Sequence, residues 1–517
     1  MPDPPPQPQY RPIKPVPYGL NERIRVLIEE TLYPQALESL AGVIIPGVST
    51  PDNPPAALVP PHTHIRLLTT LITHPYLTTQ LSRNEPTPSA PTSAFLLLRR
   101  ILKLIGPLNA DFSTAWTFDA TRPRGPRRTK KEIDRDNSPT YTTDDHLASE
   151  LVTTDAPFAL TEDLWGIVGW AFTCSVSHPK RWRWWKLELE ILLDVLEADW
   201  EDRLESNMIT NSPATLRNGL IVKMLPEARG SAGYKKVIRA ILANGTGGAL
   251  NHWYPVYKDE LSTKRPRKKN MGSLDNSFIG DSDSDSDLTI KNIKSPSEDT
   301  DMPDPDSDDE EEEPVPSTAA GEWGGMDALV LRQRWLTLLS SVTFHKCYIP
   351  IEDLFHEYQE TILRFSISSF VLFTNTLIPA DIQYRSSLNQ LILATIISSR
   401  SPTSRKGESD ELTVVKIVER YLPFPANTNG VIDNAKVAVL LESMLRMLIT
   451  EVGVQWSEEL EKAVETGIGA RAAKAAGSGR RVDRDKEREA RWVWYGAEER
   501  LRAMVKTLKI NGNGEER

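Results

Sequence analysis

Few residues in this chain have the types and spacing that catalysis or metal binding requires. His62 and His64 place two imidazoles close together, but a metal site needs more ligands, and neither cysteine belongs to a Cys-x-x-Cys pair. The run Asn244–Gly248 (NGTGG) lacks the lysine and the preceding strand of a phosphate loop. The sequence has no His-Glu-x-x-His motif and no Gly-x-Ser-x-Gly turn. It therefore predicts no catalytic residue, no metal and no cofactor, and the protein is interpreted as a non-enzyme.

Two basic clusters are candidates for recognition by another macromolecule. The denser one comprises Lys264, Arg265, Arg267, Lys268 and Lys269. Importin-type receptors read exposed blocks of this kind, although such blocks also occur as plain solvated charge, and we predict a nuclear localisation signal. The looser cluster comprises Arg122, Arg124, Arg127, Arg128, Lys130 and Lys131. Three interpretations stay open for it: a second nuclear localisation signal, a loop that contacts phosphate groups, or an ordinary solvated loop.

The acidic charge of the chain is concentrated in one segment. Between Asp275 and Glu313, sixteen acidic residues stand against two lysines, a local net charge of −14; the remainder of the chain then carries −10 + 14 = +4. Acidic residues follow Ser282, Ser284, Ser286 and Ser307, as acidophilic kinases require, and each phosphate would add roughly −1.5 to −2 charges. Acidic tracts also contact histones and other basic partners. The alternative is a solubilising spacer.

Tryptophans alternate with basic residues between Lys180 and Lys186. Bases of a single-stranded nucleic acid stack on such aromatic side chains for about 1–3 kcal/mol each. The same tryptophans also continue an apolar helical row, so we favour the structural interpretation. A second aromatic group, Trp492, Trp494 and Tyr495, lies in a highly charged predicted helix, Val482–Leu508, and is a candidate for docking a partner protein.

The stretch from Thr161 to Glu205 holds six of the thirteen tryptophans and has the clearest helical spacing. Apolar residues recur every three or four positions in its second half, beginning at Pro179, and Thr161 is a candidate cap of its first half. It predicts a buried helical hairpin. Similar spacing elsewhere, with almost no alternating strand pattern, predicts an all-α fold built from two irregular bundle-like or repeat-like regions.

The predicted organisation follows from shifts in composition along the chain. It consists of a disordered proline-rich tail (1–18), an amino-terminal helical region (19–262) that contains the hairpin (161–205) and a basic loop (118–145), a disordered linker (263–321), a carboxyl-terminal helical region (322–452), charged helices (453–510) and a tail (511–517).

Two cysteines, Cys174 and Cys347, are too few for a disulfide scaffold and fit a reducing compartment. No apolar run approaches the roughly 18–20 residues that span a bilayer, and the amino terminus lacks the apolar core of a secretory signal. We therefore expect an intracellular protein with no membrane contact and no small-molecule substrate.

The leading hypothesis is a nuclear scaffold or adaptor subunit of a protein complex, in chromatin or chromosome maintenance. The first alternative is a direct nucleic-acid-binding protein that uses the basic loop and the Lys180–Lys186 cluster. The second alternative is a ribosome-assembly factor. An enzyme with a helical site assembled from distant residues is a further alternative, which a deep pocket lined by ionisable groups would favour.

Overall fold

The computed structural model describes residues 10–45, 55–80, 89–118, 147–210, 212–226, 231–246, 252–262, 319–345, 351–376, 382–402, 411–476 and 484–515. Helices make up 72% of the structure and strands only 2%, which confirms the all-α prediction. Among the described residues, no helix is both long and apolar enough to cross a bilayer.

The amino-terminal region is built from helices of very different length. They are α1 (Tyr18–Glu29), α2 (Tyr33–Ile44), α3 (His62–Thr73), α4 (Ser89–Ile105), α5 (Phe112–Ala115), α6 (Pro157–Leu160), α7 (Leu164–Ser177), α8 (Pro179–Thr210), α9 (Pro213–Arg217), α10 (Leu220–Met224) and α11 (Ser231–Ile241). A 3-10 turn, Pro75–Leu77, follows α3.

The carboxyl-terminal region continues the helical pattern. It contains a 3-10 turn (Gly321–Trp323), α12 (Gly325–Phe344), α13 (Ile351–Ile362), α14 (Ile367–Val371), α15 (Ile382–Ile396), α16 (Val414–Lys416), α17 (Val431–Glu451), α18 (Glu458–Ala476) and α19 (Arg484–Glu515). Two π-helical turns, Leu372–Thr376 and Ile417–Tyr421, follow α14 and α16.

The hairpin predicted at 161–205 is present as α7 and α8. Its cap is Asp163 rather than Thr161, because α7 begins at Leu164 and the Asp163 carboxylate accepts a hydrogen bond from the Gly166 N–H at 3.1 Å. Pro179 is the first residue of α8, where its missing N–H would have no helical partner. The Asp163 cap and Pro179 therefore determine where α7 and α8 begin.

Tryptophan side chains fill the space around this hairpin, as the apolar rows predict. Trp165, Trp170 and Trp185 are fully buried, and Trp200 is 2% exposed. The Trp253 ring lies so close to α7 that a Cβ on Gly169 would come within 2.3 Å of it. Glycine at this position therefore allows the 252–262 segment to pack directly on the helix.

The two helical regions share one continuous core. Trp165 of α7 meets Trp335 of α12 edge to face, with ring centroids 5.6 Å apart. Trp200 Nε1 donates a hydrogen bond to the Ser341 hydroxyl at 2.9 Å, and Arg334 pairs with Glu197 at 2.6 Å. Helices α7 and α8 thus provide the surface on which the carboxyl-terminal region packs.

Residues 10–18 belong to the fold rather than to the tail predicted for 1–18. Ile13–Pro15 forms a parallel pair with Ala57–Val59, and the Tyr10 hydroxyl donates a hydrogen bond to Asp202 at 3.1 Å. Prolines favour an extended backbone, and that backbone is able to pair with a second short extended segment. This two-stranded sheet was not predicted.

Gly467 and Gly469 of α18 provide a matched test of the packing. A Cβ on Gly467 would lie 1.8 Å from the Leu422 carbonyl oxygen, whereas Gly469 has no atom within 4 Å of the same position. Gly467→Ala should lower the free energy of unfolding by about 1–3 kcal/mol through overpacking. Gly469→Ala should raise it by about 0.5–1 kcal/mol, because alanine favours helix. Urea unfolding followed by circular dichroism measures both, and equal effects would contradict the packing.

Candidate functional site

Most sequence-predicted site residues lie outside the described residues. These are the nuclear-localisation block Lys264–Lys269, the serines Ser282, Ser284, Ser286 and Ser307, and the basic loop from Arg122 to Lys131. Cys347 lies outside them too. The structure does describe the Lys180–Lys186 cluster, the two histidines near His62 and the aromatic residues near Trp492.

The Lys180–Lys186 cluster presents only part of its charge to solvent. Arg181 is buried, and Lys186 Nζ pairs with Asp327 of α12 at 2.5 Å. Lys180 and Arg183 remain exposed, with the Arg183 guanidinium 5.2 Å from the centre of the Trp184 ring. The cluster therefore contributes mainly to packing, which weighs against its use as a base-stacking surface.

Arg181 forms the centre of a closed polar network. Its Nε donates to Glu260 Oε1 at 2.8 Å, and its terminal nitrogens donate to the Thr78 hydroxyl at 2.8 Å and to the Thr73 carbonyl at 2.6 Å. Trp185 Nε1 donates to the same Glu260 oxygen at 2.5 Å. The Arg181–Glu260 ion pair is therefore buried, and its other polar atoms are hydrogen-bonded. It joins α3, α8 and the 252–262 segment.

Three ionisable side chains beside this network are held in their neutral forms. Burial raises the pKa of Glu188 well above its usual range, and neither of its carboxylate oxygens has a hydrogen-bond partner among the described residues. Burial, together with the charge of Glu260, also raises the pKa of Tyr257. Burial and the Arg181 charge lower the pKa of His74 to about 4. Such shifts occur at catalytic sites and also in structural ionic networks.

Arg332 of α12 is a second buried cation, with no exposed surface. It donates hydrogen bonds to the carbonyl oxygens of Ile241, Ala243 (2.9 Å) and Trp323 (3.4 Å). Its guanidinium stacks over the Phe172 ring at 4.1 Å. Burial lowers its pKa to about 9, so the group stays charged at neutral pH. Arg332 thereby ties the carboxyl-terminal region to the end of α11 and to α7.

The described residues do not assemble a metal site. His64 is buried in α3, and no group of three or more His, Cys, Asp or Glu side chains within the described ranges is arranged to hold a metal ion. Two surface grooves of about 460 and 490 Å³ lie near the amino terminus. Their ionisable lining residues are Arg23 in the first groove and Lys14 with Tyr18 in the second, so neither lining pairs an acid with a base.

The outer face of α19 is the strongest candidate for a binding surface. Trp492 is 78% exposed and Tyr495 is 54% exposed, whereas Trp494 is buried and packs in the core. Arg488 and Arg491 occupy the same side of the helix, because positions 488, 491, 492 and 495 follow the i, i+3, i+4, i+7 spacing. We call these four residues the Trp492 face.

The opposite side of α19 anchors the helix. The buried residues there are Ala490, Trp494, Ala497, Leu501 and Val505. Arg500 makes two hydrogen bonds to Glu442 of α17, at 2.7 and 2.8 Å, and Arg471 of α18 pairs with Glu498 at 2.9 Å. The Trp492 face is therefore carried on a rigidly packed element.

The arginines of the Trp492 face pair with acids of their own helix. Arg488 contacts Asp485 at 2.8 Å and Arg491 contacts Glu487 at 2.7 Å, with both arginine side chains well exposed. Exposed pairs of this kind contribute about 0–1 kcal/mol each. A partner carboxylate is able to replace them at little cost.

The structural roles of Arg332 and Glu188 do not follow from the sequence motifs. The spacing of each residue does place it in an apolar helical row. Arg332 precedes Trp335 and Leu339 by three and seven residues, and Glu188 follows Trp184 and Trp185. A charged residue on a buried row is rare without a compensating contact.

No protein-family model matches this chain, and a search of curated proteins finds no match.

Replacing Glu188 with glutamine tests its buried, protonated state. In the folded protein Glu188 holds its proton above the pH at which it ionises in the unfolded chain. Unfolding then releases a proton, and stability falls as pH rises above the usual glutamate pKa. Glu188→Gln lacks this proton release, so its stability relative to wild type should increase with pH by up to about 1.4 kcal/mol per pH unit until the folded-state pKa is passed.

Urea unfolding of both proteins from pH 5 to pH 8, a range that begins just above the usual glutamate pKa of about 4.3, measures this difference. Glu190→Gln is the control, because Glu190 lies on the same helix but is partly exposed beside Arg99 and Lys186. A pH-independent difference for Glu188→Gln would show that the carboxyl is ionised in the fold.

Proposed function

We propose that this protein is a nuclear, non-enzymatic adaptor subunit that binds a partner protein through the Trp492 face. The observation that carries the proposal is the exposure of Trp492 and Tyr495 on a helix whose other side is fixed in the core. Tryptophan, tyrosine and arginine are the residue types that dominate binding energy in protein interfaces. All four positions of the Trp492 face carry one of these types.

The rigidity of α19 favours binding. Association costs free energy when side chains and segments must be ordered, and a helix already packed along its inner side avoids most of that cost. Burying one large apolar side chain yields about 1.5–3 kcal/mol. Two aromatic side chains on the Trp492 face therefore supply a substantial part of a stable interaction.

The chemistry of the Trp492 face defines the partner. Trp492 and Tyr495 require an apolar pocket or the apolar side of a helix, and Arg488 and Arg491 require carboxylates beside it. We infer that the partner presents an apolar segment flanked by acidic residues. The proposal includes no reaction, since the buried cations Arg181 and Arg332 are bound by groups of the protein itself.

The nuclear setting is supported by the sequence of the Lys264–Lys269 block. The acidic residues between Asp275 and Glu313 support a chromatin setting over ribosome assembly, because acidic tracts of this kind are common contacts for histones and other basic proteins. Phosphorylation at Ser282, Ser284, Ser286 or Ser307 would increase that negative charge.

The double substitution Trp492→Ala and Tyr495→Ala tests the docking proposal. Loss of one tryptophan hot spot weakens binding by about 2 kcal/mol or more, which is about 30-fold in Kd. We expect the variant to lose the proteins that co-purify with the wild-type chain from nuclear extract, as quantified by mass spectrometry. Its own stability should change by no more than about 0.5 kcal/mol, because both side chains are at the surface.

Tyr254→Ala is the matched control, because Tyr254 is an exposed aromatic residue far along the chain from α19. It should leave the set of co-purifying proteins unchanged. Retention of the same proteins by the double variant would rule out the Trp492 face as the docking site, whereas loss of the same proteins in the Tyr254→Ala chain would show that the effect is unspecific.

Alanine at Lys264, Arg265, Arg267, Lys268 and Lys269 tests the nuclear assignment. The wild-type chain fused to a fluorescent protein should accumulate in the nucleus, and this variant should stay in the cytoplasm, because the receptor recognises the positive charges. Fluorescence microscopy measures the ratio of nuclear to cytoplasmic signal for each protein. The parallel variant, with alanine at Arg122, Arg124, Arg127, Arg128, Lys130 and Lys131, should remain nuclear. If the first variant stayed nuclear and the parallel variant became cytoplasmic, the nuclear localisation signal would lie in the basic loop and not in the Lys264–Lys269 block.

A further inference from the structure

The region from α9 to α11 carries an unbalanced positive charge. In the described residues 212–226 and 231–246 the sequence contains no Asp or Glu, although acidic residues outnumber basic ones in the whole chain. The basic residues of these ranges are Arg217, Lys223, Lys235, Lys236 and Arg239, and four of them are exposed. A positive surface of this kind attracts a negatively charged partner.

Helix α11 concentrates three of these cations within about one turn. Lys235 and Arg239 are four residues apart and exposed, while Val237, Ile238 and Ile241 on the other side are buried. Lys236 pairs with Asp163 at 2.5 Å and keeps 39% of its side chain exposed. We call Lys235, Lys236 and Arg239 the α11 basic face.

The acidic segment of the same chain joins the described structure beside α11. One terminal nitrogen of Arg332 donates to the Ala243 carbonyl at 2.9 Å and to the Trp323 carbonyl at 3.4 Å. Residues just after the end of α11 and residues at the start of the carboxyl-terminal region therefore contact a single guanidinium group. The chain that precedes Trp323 thus re-enters the described structure near the carboxyl-terminal end of α11, the helix that carries the basic face.

The distances allow the acidic residues to reach this face. Asp304 to Glu313 contains eight acidic residues, and only residues 314–318 separate it from the first described residue, Ala319. Five residues span up to about 17 Å when extended. Lys235 lies six residues before Ile241, about 9 Å along the helix axis.

We propose that residues 304–313 of this chain bind the α11 basic face in cis. The opposite charges complement each other, and the short tether gives the acidic segment an effective concentration on the order of millimolar. An acidic segment of another molecule must reach that concentration to compete. The contact occupies the acidic residues nearest the carboxyl-terminal region, and phosphate on Ser307 would add negative charge and strengthen it.

Zero-length carbodiimide cross-linking of the full chain tests this contact, because it joins a carboxylate to a lysine amine only where the two touch. An equal mixture of unlabelled and nitrogen-15-labelled chains distinguishes bonds within a chain from bonds between chains by mass. We expect bonds from residues 304–313 to Lys235 and Lys236 within one chain at about 0.1 M salt. They should be lost at about 1 M salt, where the screening length falls to about 3 Å.

Arg239→Glu removes one attractive charge while it keeps both lysine amines that report the contact. The yield of the Lys235 and Lys236 bonds should fall about fivefold, since an attractive contact becomes repulsive. Arg100→Glu is the matched control, because Arg100 is an exposed arginine on α4. It should leave the yield unchanged, and circular dichroism should show both variants folded.

Three results would overturn the proposal. The first is attachment of residues 304–313 to Lys103 and Lys462, exposed lysines on other helices, as often as to the α11 basic face. The second is attachment mainly between labelled and unlabelled chains, which would indicate a second copy as the occupant. The third is an unchanged yield in Arg239→Glu. The docking proposal for the Trp492 face is independent of all three.

Discussion

The Arg332 guanidinium lies in a fully buried position where three separate parts of the chain meet. It contacts carbonyl oxygens at the end of α11, just after α11 and before α12, and it stacks on the Phe172 ring of α7. Burying a cation is costly unless hydrogen bonds replace its water, and hydrogen bonds to charged groups contribute about 1.5–3 kcal/mol each. The arrangement of α7, α11 and α12 supplies hydrogen bonds to both terminal nitrogens of this cation, so the junction between the two helical regions depends on it.

Helix α8 shows a similar dependence on its surroundings. Four of its five basic residues lie near its positive end and several of its acidic residues lie near its negative end, which disfavours the isolated helix. In the fold Asp199 binds the Leu220 N–H at 2.6 Å and Arg203 at 3.0 Å, and Asp202 accepts a hydrogen bond from Tyr10. Acidic side chains that are unfavourable locally thus bind α10 and the segment just before the amino-terminal strand. The tertiary contacts outweigh the helix dipole.

The sequence was sufficient for the parts of the fold that local periodicity determines. The α7–α8 hairpin and the burial of Trp165, Trp185 and Trp200 follow from apolar spacing alone. The β1–β2 pair (Ile13–Pro15 with Ala57–Val59), the Arg181–Glu260 pair and the Arg332 site do not, because each joins residues far apart in sequence and has no periodic signal. For the candidate site, the sequence predicts the aromatic residues at 492–495 as a docking group. It does not show which side of α19 faces the core, so it cannot distinguish buried Trp494 from exposed Trp492 and Tyr495.

The direct contact between α7 and α12 has a consequence for how the chain can vary. The contacts between α7 and α12 are made by described residues on either side of residues 263–318. The entropy of closing a flexible loop rises only with the logarithm of its length, about 0.6 kcal/mol for each doubling. By this rule, an insertion or deletion between residues 263 and 318 should change the stability of the α7–α12 contact by less than about 1 kcal/mol unless it more than doubles or halves the length of this stretch.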